Sequence, residues 1–171
     1  MGSDSEIAEI LADLPSGPWE GIAYRHMFAN FPPDRENTRG ARWNPPEVPA
    51  IYCSLGYDIV IAEAEYRLSL ETVPPKVKRT IYKIRVRLER ALDIRSPQTL
   101  SRLGLGRSAL SQIKHEECSR IGGIVARQHH DGLLVPSARI KGDNLVIFPN
   151  SQTKSFLFEV VEATVLDHGL H

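Results

Sequence analysis

A loop, a strand and a helix follow one another directly in residues 40–70, which read GARWNPPEVPAIYCSLGYDIVIAEAEYRLSL. The loop belongs to an irregular, proline-rich stretch over residues 29–49, and ordered loops of this length in compact domains are usually functional. The apolar segment 50–53 predicts a short buried strand that ends at Gly56. Residues 58–70 contain neither Gly nor Pro and predict the clearest helix of the chain.

The residues before this stretch predict a short helix over 5–14, with Ser5 as its N-cap and Pro15 as its end. A length of 171 residues favours one domain. We therefore expect a single domain over residues 1–171, in which residues 1–16 form an N-terminal helical appendage.

The residues after this stretch predict further strands and helices. Residues 79–88 alternate apolar and basic side chains, as a half-buried strand does, and residues 91–94 predict another strand. Residues 97–130 predict mostly helix, interrupted at Gly104, Gly106 and the Gly122-Gly123 pair. Short apolar runs predict the remaining strands at residues 132–136, 145–149 and 157–166. Helices and strands mixed without regular βαβ alternation indicate the α+β class.

The composition is that of an ordinary globular protein, with 42% hydrophobic and 25% charged residues. The formal net charge is zero, so direct nucleic-acid binding is not expected. No apolar run is long enough to span a membrane, and the N-terminus lacks the pattern of a signal peptide. Cys53 and Cys118 do not form a disulfide framework and are expected to be buried thiols in a reducing compartment. These features predict a cytoplasmic protein.

One carboxylate of the predicted helix stands apart from the others. At about 100° per residue, Asp58 and Glu65 share the natural solvent face. Glu63 falls elsewhere, on an apolar arc with Ile59, Tyr66 and Leu70. A carboxylate there needs a partner or raises the cost of folding. Spacing alone leaves two alternatives open, an ion pair with Arg67 at i+4 or a functional site.

Other polar residues are weaker candidates when taken alone. Arg42 lies in a loop that prolines hold rigid, which suits presentation of a guanidinium to an anion, although an ordinary turn anchored by Trp43 is the alternative. Arg25 lies on a predicted strand, where an arginine commonly points to solvent. Ser137 follows a strand but lacks the context of a hydrolase nucleophile. The histidines and cysteines show no zinc-site spacing, so no metal site is expected.

A basic segment, residues 76–95, contains eight lysines and arginines against Glu89 and Asp93. A solvated strand face is the default interpretation of such a segment. A docking surface for an acidic partner is the alternative.

Taken in order, several of these segments resemble the RES domain, a family named for an Arg, a Glu and a Ser. The resemblance covers roughly residues 20–166, which would be the core of the domain. It is carried by Tyr24-Arg25, by residues 40–52, by Ala62-Glu63-Ala64, by residues 134–138 and by Asn144-Leu145-Val146. The sequence departs from the family pattern at Phe148, where a second Asn is expected before the Pro.

The resemblance implies an ADP-ribosyltransferase-like fold of mixed β-sheets with flanking helices. It also implies a reaction at the nicotinamide–ribose bond of NAD+, with NAD+ as substrate and no cofactor. Catalytic roles are implied for Glu63, for Arg42 and for Tyr52, whose ring would stack on the nicotinamide. Substrate binding is implied for Arg25, Tyr24, Trp43, Asn44, Ser137 and Asn144.

Members of this family are typically toxins of bacterial toxin–antitoxin pairs, held by a helix-turn-helix antitoxin. We therefore expect a toxin that cleaves NAD+ by hydrolysis or phosphorolysis and so arrests growth. One alternative is a mono-ADP-ribosyltransferase that modifies a cellular protein. Another is a non-catalytic module that binds phosphate or nucleic acid through residues 76–95, with an affinity that falls steeply with salt.

Overall fold

The computed structural model describes residues 2–73, 76, 78–106, 110, 115–138, 140–151 and 153–166. The helices are α1 (Asp4–Asp13), α2 (Tyr57–Ser69), α3 (Pro97–Arg102) and α4 (Glu116–Arg127), with a 3-10 turn at Pro149–Ser151. The strands are β1 (Ser16–Phe28), β2 (Ile51–Ser54), β3 (Arg79–Asp93), β4 (Gly132–Pro136), β5 (Asp143–Ile147) and β6 (Leu157–Leu166). This mixture confirms the α+β class.

One mixed sheet holds all six strands in the order β1-β2-β5-β4-β3-β6. β1 pairs with both β2 and β3, so β1, β2, β5, β4 and β3 form a closed circuit. Only the β3–β4 pair is parallel among these pairings. The circuit brings the ends of β2, β4 and β5 together, although β2 is far from the other two strands along the chain.

The N-terminal helix begins earlier than its sequence predicts. Ser3, rather than Ser5, is the N-cap, and the side chains of Ser3 and Glu6 form a reciprocal capping box. This arrangement satisfies two N–H groups at the start of the helix, which explains why the cap lies at Ser3. Ile7 and Leu11 are fully buried in the larger hydrophobic cluster, so the helix predicted as an appendage packs into the core.

Two further boundaries differ from the sequence expectations. The strands predicted over 79–88 and 91–94 form one continuous strand, β3, because β1 pairs with it along almost its whole length. The Gly122-Gly123 pair does not interrupt a helix but lies buried within α4. A Cβ atom at Gly122 would lie 1.7 Å from the carbonyl oxygen of Trp43, so the close approach of the loop requires this glycine. Residues 107–109 and 111–114, also predicted helical, lie outside the described residues.

Most of the basic segment behaves as a solvated strand face. Arg85 and Arg87 are exposed, and Arg87 pairs with Glu20 on β1. Arg95 pairs with Asp93 and Asp143.

Two predicted properties of the chain can also be compared with the structure. Both cysteines are free and buried, as expected. None of the helices in the described part has the length and apolar character needed to cross a membrane.

Candidate active site

A cavity of about 540 Å³ lies between β1, β2, α2 and the loop that contains Arg42. Its wall includes all three residues predicted to be catalytic, Glu63, Arg42 and Tyr52. Of the predicted substrate-binding residues, Tyr24, Arg25, Trp43 and Asn144 also line the cavity. Ser137 contacts Glu63, whereas Asn44 lies behind the wall and is fully buried. The structure therefore brings the predicted residues into one region.

In the described part of the chain, three neutral donors from different strands or strand ends hold Glu63. Ser54 Oγ donates to Glu63 Oε2 at 3.1 Å. Asn144 Nδ2 donates to Oε1 at 3.0 Å, and Ser137 Oγ donates to the same oxygen at 3.3 Å. Among the described residues, the ion pair with Arg67 that spacing allowed does not form. Both carboxylate oxygens are thus fixed without a cation cancelling the charge.

The sheet register explains why these donors converge on one point. Ser54 on β2 is opposite Asn144 on β5, and Asn144 is opposite Val135 on β4. β4 ends at Pro136, and Ser137 follows directly. Ser137 is two residues after Val135, so by strand alternation it lies on the same side of the sheet as Asn144. Helix α2 starts three residues after Ser54, which folds Glu63 back over the end of its own preceding strand.

The apolar arc around Glu63 is divided between the core and the cavity, since Ile59 is buried. Tyr66 and Leu70 line the cavity, yet Leu70 is 59% exposed. Glu65, two residues from Glu63, is exposed. Periodicity therefore separates the two carboxylates correctly, but Tyr66 and Leu70 belong to the cavity wall and not to the core.

A hydrogen-bond relay holds the Arg42 loop against Tyr52. The Trp43 N–H donates to the Tyr52 hydroxyl at 2.9 Å, and that hydroxyl donates to Asn44 Oδ1 at 2.5 Å. Asn44 Nδ2 in turn donates to the carbonyl of Val48 at 2.8 Å. Burial raises the pKa of Tyr52, with the Trp43 hydrogen bond and the nearby charge of Arg42 acting in the opposite direction. The Tyr52 hydroxyl is therefore committed to the loop, while Tyr52 also lines the cavity.

Trp43 and Asn44 hold this loop from behind. The Trp43 side chain is 2% exposed and belongs to the larger core cluster. Asn44 links the loop to Tyr52 and Val48. Their geometry matches the alternative interpretation of the loop, a turn anchored by a core tryptophan, and at the same time sets the position of the neighbouring Arg42.

Arg25 points inward and not to solvent. Its side chain is buried, and its Nη1 and Nη2 donate to the carbonyls of Pro33 and Arg35 at 2.5 and 2.6 Å. Burial lowers the pKa of the guanidinium. Arg25 therefore ties the loop after β1 to the cavity wall, because two backbone carbonyls occupy the fork of its guanidinium.

Several residues that line the cavity are not site candidates in the sequence, among them Ser54, Arg67 and two histidines. Ser54 is 1% exposed, and its only sequence signal is a hydroxyl at the end of an apolar strand. Arg67 was considered only as an ion-pair partner. His26 and His115 also line the cavity, but a single histidine on a strand or in a loop carries little information.

His26 is held as a neutral ring. Arg79 Nη1 lies 2.9 Å from His26 Nδ1, and since arginine only donates, Nδ1 is the acceptor. Burial lowers the pKa of His26 to about 3, and the charges of Arg79, Arg67 and Arg25 contribute in the same direction. His26 therefore brings no positive charge to the cavity.

This neutral ring should make the stability of the fold depend on pH. The unfolded imidazole binds a proton below its ordinary pKa of 6.5, whereas the folded ring does so only near 3. The unfolded state binds more protons between these values, so the free energy of unfolding falls as the pH drops from 6.5 towards 3. Between pH 6.5 and pH 5 we expect this group to remove about 2 kcal/mol, measured by urea denaturation.

His26→Gln keeps an acceptor for Arg79 and should lose less stability over the same pH interval. His129 is exposed and has a positive φ of 64°, which Asn tolerates, so His129→Asn is the matched control and should follow the wild type. Identical pH profiles for His26→Gln and the wild type would contradict the assignment.

The fold and the cavity together define a small α+β domain with a polar pocket built around a hydrogen-bonded carboxylate. Residues 18–167 match the model of the family described as the RES domain, and the chain belongs to the RES-domain family. Among solved structures it is similar to MbcT of the M. tuberculosis MbcT–MbcA toxin–antitoxin complex, with 22% identity and a TM-score of 0.83. That match covers 94% of this chain and 92% of the other. No curated protein matches the sequence.

Proposed function

We propose that this chain is the toxin of a bacterial toxin–antitoxin pair and that it cleaves the nicotinamide–ribose bond of NAD+. Membership of the RES-domain family supports the proposal. The observation that carries it is the Glu63 carboxylate, which neutral donors hold at the wall of a cavity of about 540 Å³. Such a volume lies within the range of pockets that bind small molecules.

Cleavage of the nicotinamide–ribose bond needs an ionised carboxylate more than it needs a proton donor. Nicotinamide leaves as a neutral molecule, so its departure requires no general acid. Positive charge develops at ribose C1′, as in glycoside cleavage. A carboxylate that is already oriented beside C1′ stabilises this transition state more than the ground state, which raises kcat. Glu63 is the residue in that role.

The three donors to Glu63 are positioning residues. Ser54, Asn144 and Ser137 fix both oxygens, so the carboxylate does not have to reorient as the charge develops. Because these donors are neutral, they leave the negative charge available to the substrate. A lysine or arginine in their place would cancel much of the field at C1′.

Tyr52 and Arg42 bind the substrate. The Tyr52 ring stacks on the nicotinamide, since its hydroxyl is already used by Trp43 and Asn44. Arg42, next to Trp43 in the same loop, binds the pyrophosphate or a flanking ribose through its planar, permanently charged fork. Arg25 supports this wall through the loop after β1.

The partner of this toxin is an antitoxin of the helix-turn-helix type that covers the cavity. The structural neighbour MbcT belongs to a toxin–antitoxin complex, and this supports an antitoxin partner here. The toxin acts in the cytoplasm, where NAD+ is available.

Incubation of the purified chain with NAD+ tests the reaction. The products are identified by mass with and without inorganic phosphate, which separates hydrolysis from phosphorolysis. Nicotinamide release with a free ADP-ribose product supports cleavage. ADP-ribose found on an added protein would instead support the mono-ADP-ribosyltransferase alternative. Intact NAD+ would contradict both activities.

Expression of the chain without an antitoxin should stop bacterial growth as cellular NAD+ falls. A toxin that consumes NAD+ needs no protein target, only turnover that exceeds resynthesis. The measurement is cellular NAD+ through the onset of arrest, beside cells that express Glu63→Gln, which should keep growing. Arrest with an undiminished NAD+ pool would contradict depletion, and arrest by Glu63→Gln would contradict the enzymatic origin of the toxicity.

A further inference from the structure

Three arginines lie near His26, which lines the cavity. Arg79 donates to His26 and its guanidinium stacks over the Phe28 ring at 4.4 Å. Arg25 is the next residue along β1 and is tied to the carbonyls of Pro33 and Arg35. Arg67 approaches from the last turn of α2 and lines the same cavity. We call Arg25, Arg67 and Arg79 the arginine cluster.

The arginine cluster concentrates positive charge in a small volume. The charges of Arg79, Arg67 and Arg25 all act on His26. Besides burial, the charge of Arg67 also lowers the pKa of the Arg79 guanidinium, while the carboxylate of Glu71 acts on Arg79 in the opposite direction. The positive charges of the three arginines repel one another. An anion bound among them would be attracted to each arginine and would also offset this mutual repulsion.

Arg67 is the member of the cluster best placed to meet a ligand. Its side chain is exposed, whereas those of Arg25 and Arg79 are buried. Among the described residues, no carboxylate lies within ion-pair distance of Arg67, Glu63 included. Arg25 and Arg79 are held in place by carbonyls, by an imidazole and by an aromatic ring. Arg67 therefore contacts the ligand directly, and the two buried arginines add positive electrostatic potential behind it.

The spacing of Arg67 and Glu63 suits the two ends of a ribose phosphate. They are four residues apart on α2, which is about 6 Å along a helix axis. In a nucleotide, the C1′ atom and the 5′-phosphate lie on opposite sides of one sugar ring. The same face of α2 thus presents the Glu63 carboxylate to C1′, the carbon that becomes positive. One turn later it presents the Arg67 guanidinium to the negatively charged phosphate.

We propose that Arg67, backed by Arg25 and Arg79, is a further residue that binds the pyrophosphate of the dinucleotide substrate. This inference rests on the proposed cleavage of NAD+ and adds a binding residue on α2 to the Arg42 loop. It assigns the contact expected of Arg25 to Arg67, because the Arg25 side chain is buried and two of its N–H donors already bond the carbonyls of Pro33 and Arg35.

Direct binding of inorganic pyrophosphate tests the site without any need for turnover. Calorimetry at low salt compares the wild type with Arg67→Gln and with Arg85→Gln, which removes the same charge from an exposed position on β3. We expect Arg67→Gln to weaken binding by roughly 10-fold or more, and Arg85→Gln to bind as the wild type does. Absence of pyrophosphate binding in the wild type, or equal losses in the two variants, would overturn the inference.

Substrates with and without phosphate give a second readout. Arg67→Gln should raise KM for NAD+ by roughly 10-fold with a smaller change in kcat, because the contact forms before the chemical step. Cleavage of nicotinamide riboside, which has no phosphate, should be unchanged. An equal loss on both substrates would show a merely structural role and overturn the inference.

The two readouts also separate this inference from the proposed function. A wild-type chain that leaves NAD+ intact but binds pyrophosphate through Arg67 would retain the anion site and refute the cleavage. A chain that cleaves NAD+ with the same KM in Arg67→Gln would retain the cleavage and refute the site.

Discussion

Replacing Glu63 by Gln should lower kcat for NAD+ cleavage by roughly 10²–10³-fold, the usual cost of removing one preorganised electrostatic group. Gln has nearly the same size and keeps an oxygen that can accept from Ser54 or Asn144. It loses the negative charge beside ribose C1′, and one of its two terminal atoms becomes a donor that faces other donors. We expect little change in KM, because the charge acts mainly in the transition state.

Glu65→Gln is the matched control for this experiment. It makes the same chemical change two residues away on the same helix, at an exposed position. Its kcat should remain close to that of the wild type, and thermal unfolding should show that both variants are folded. A folded Glu63→Gln protein with wild-type kcat would refute the role of this carboxylate, as would an equal loss in Glu65→Gln.

Local sequence signals predict the elements of this fold better than their junctions. The helix predicted over residues 58–70 is confirmed to within one residue, because an uninterrupted run without Gly or Pro leaves few alternatives. The strand predicted over 157–166 is confirmed at the same residues. The continuity of β3 through residues 89 and 90 was missed, since that depends on pairing with β1, which is distant in sequence.

The site could be predicted only in part, because local sequence signals reveal some of its residues and long-range strand pairing decides the others. Glu63 stands out because its angle on the helix differs from that of Glu65, which is a local property. The role of Ser54 depends on its register with Asn144 across β2 and β5, and no local pattern reveals that register. The inward orientation of Arg25 likewise depends on the closure of the sheet between β1 and β3. The closed circuit of paired strands decides which face of each strand points inward.

The Gly122-Gly123 pair shows how a local rule can mislead. Glycine in the middle of a helix is unfavourable by about 1 kcal/mol relative to alanine, so the sequence predicts an interruption there. In the structure the helix continues, because its backbone packs directly against the loop at Trp43. The pair therefore indicates where a backbone approaches the helix, and that backbone belongs to the loop that holds Arg42.

Gly122→Ala should destabilise the fold by about 2 kcal/mol or more, since overpacking at a buried contact outweighs the gain in helix propensity. The added Cβ would lie 1.7 Å from the Trp43 carbonyl oxygen and 2.6 Å from its carbonyl carbon. Neither atom belongs to a flexible side chain, so either α4 or the loop must move. The measurement is urea denaturation, with the transition midpoint expected at lower urea. Gly17→Ala is the matched control, because nothing lies within 4 Å of the added atom there.

The same substitution should also affect the active site, because Trp43 is adjacent to Arg42 and its N–H donates to the Tyr52 hydroxyl. A shift of the loop away from α4 changes the position of Arg42 relative to the Tyr52 ring. The folded fraction of Gly122→Ala should therefore bind NAD+ more weakly, with a raised KM, while Gly17→Ala keeps wild-type values. A Gly122→Ala protein with wild-type stability would contradict the contact between α4 and Trp43. Lost stability with an unchanged KM would show that the contact supports the fold without setting the position of Arg42.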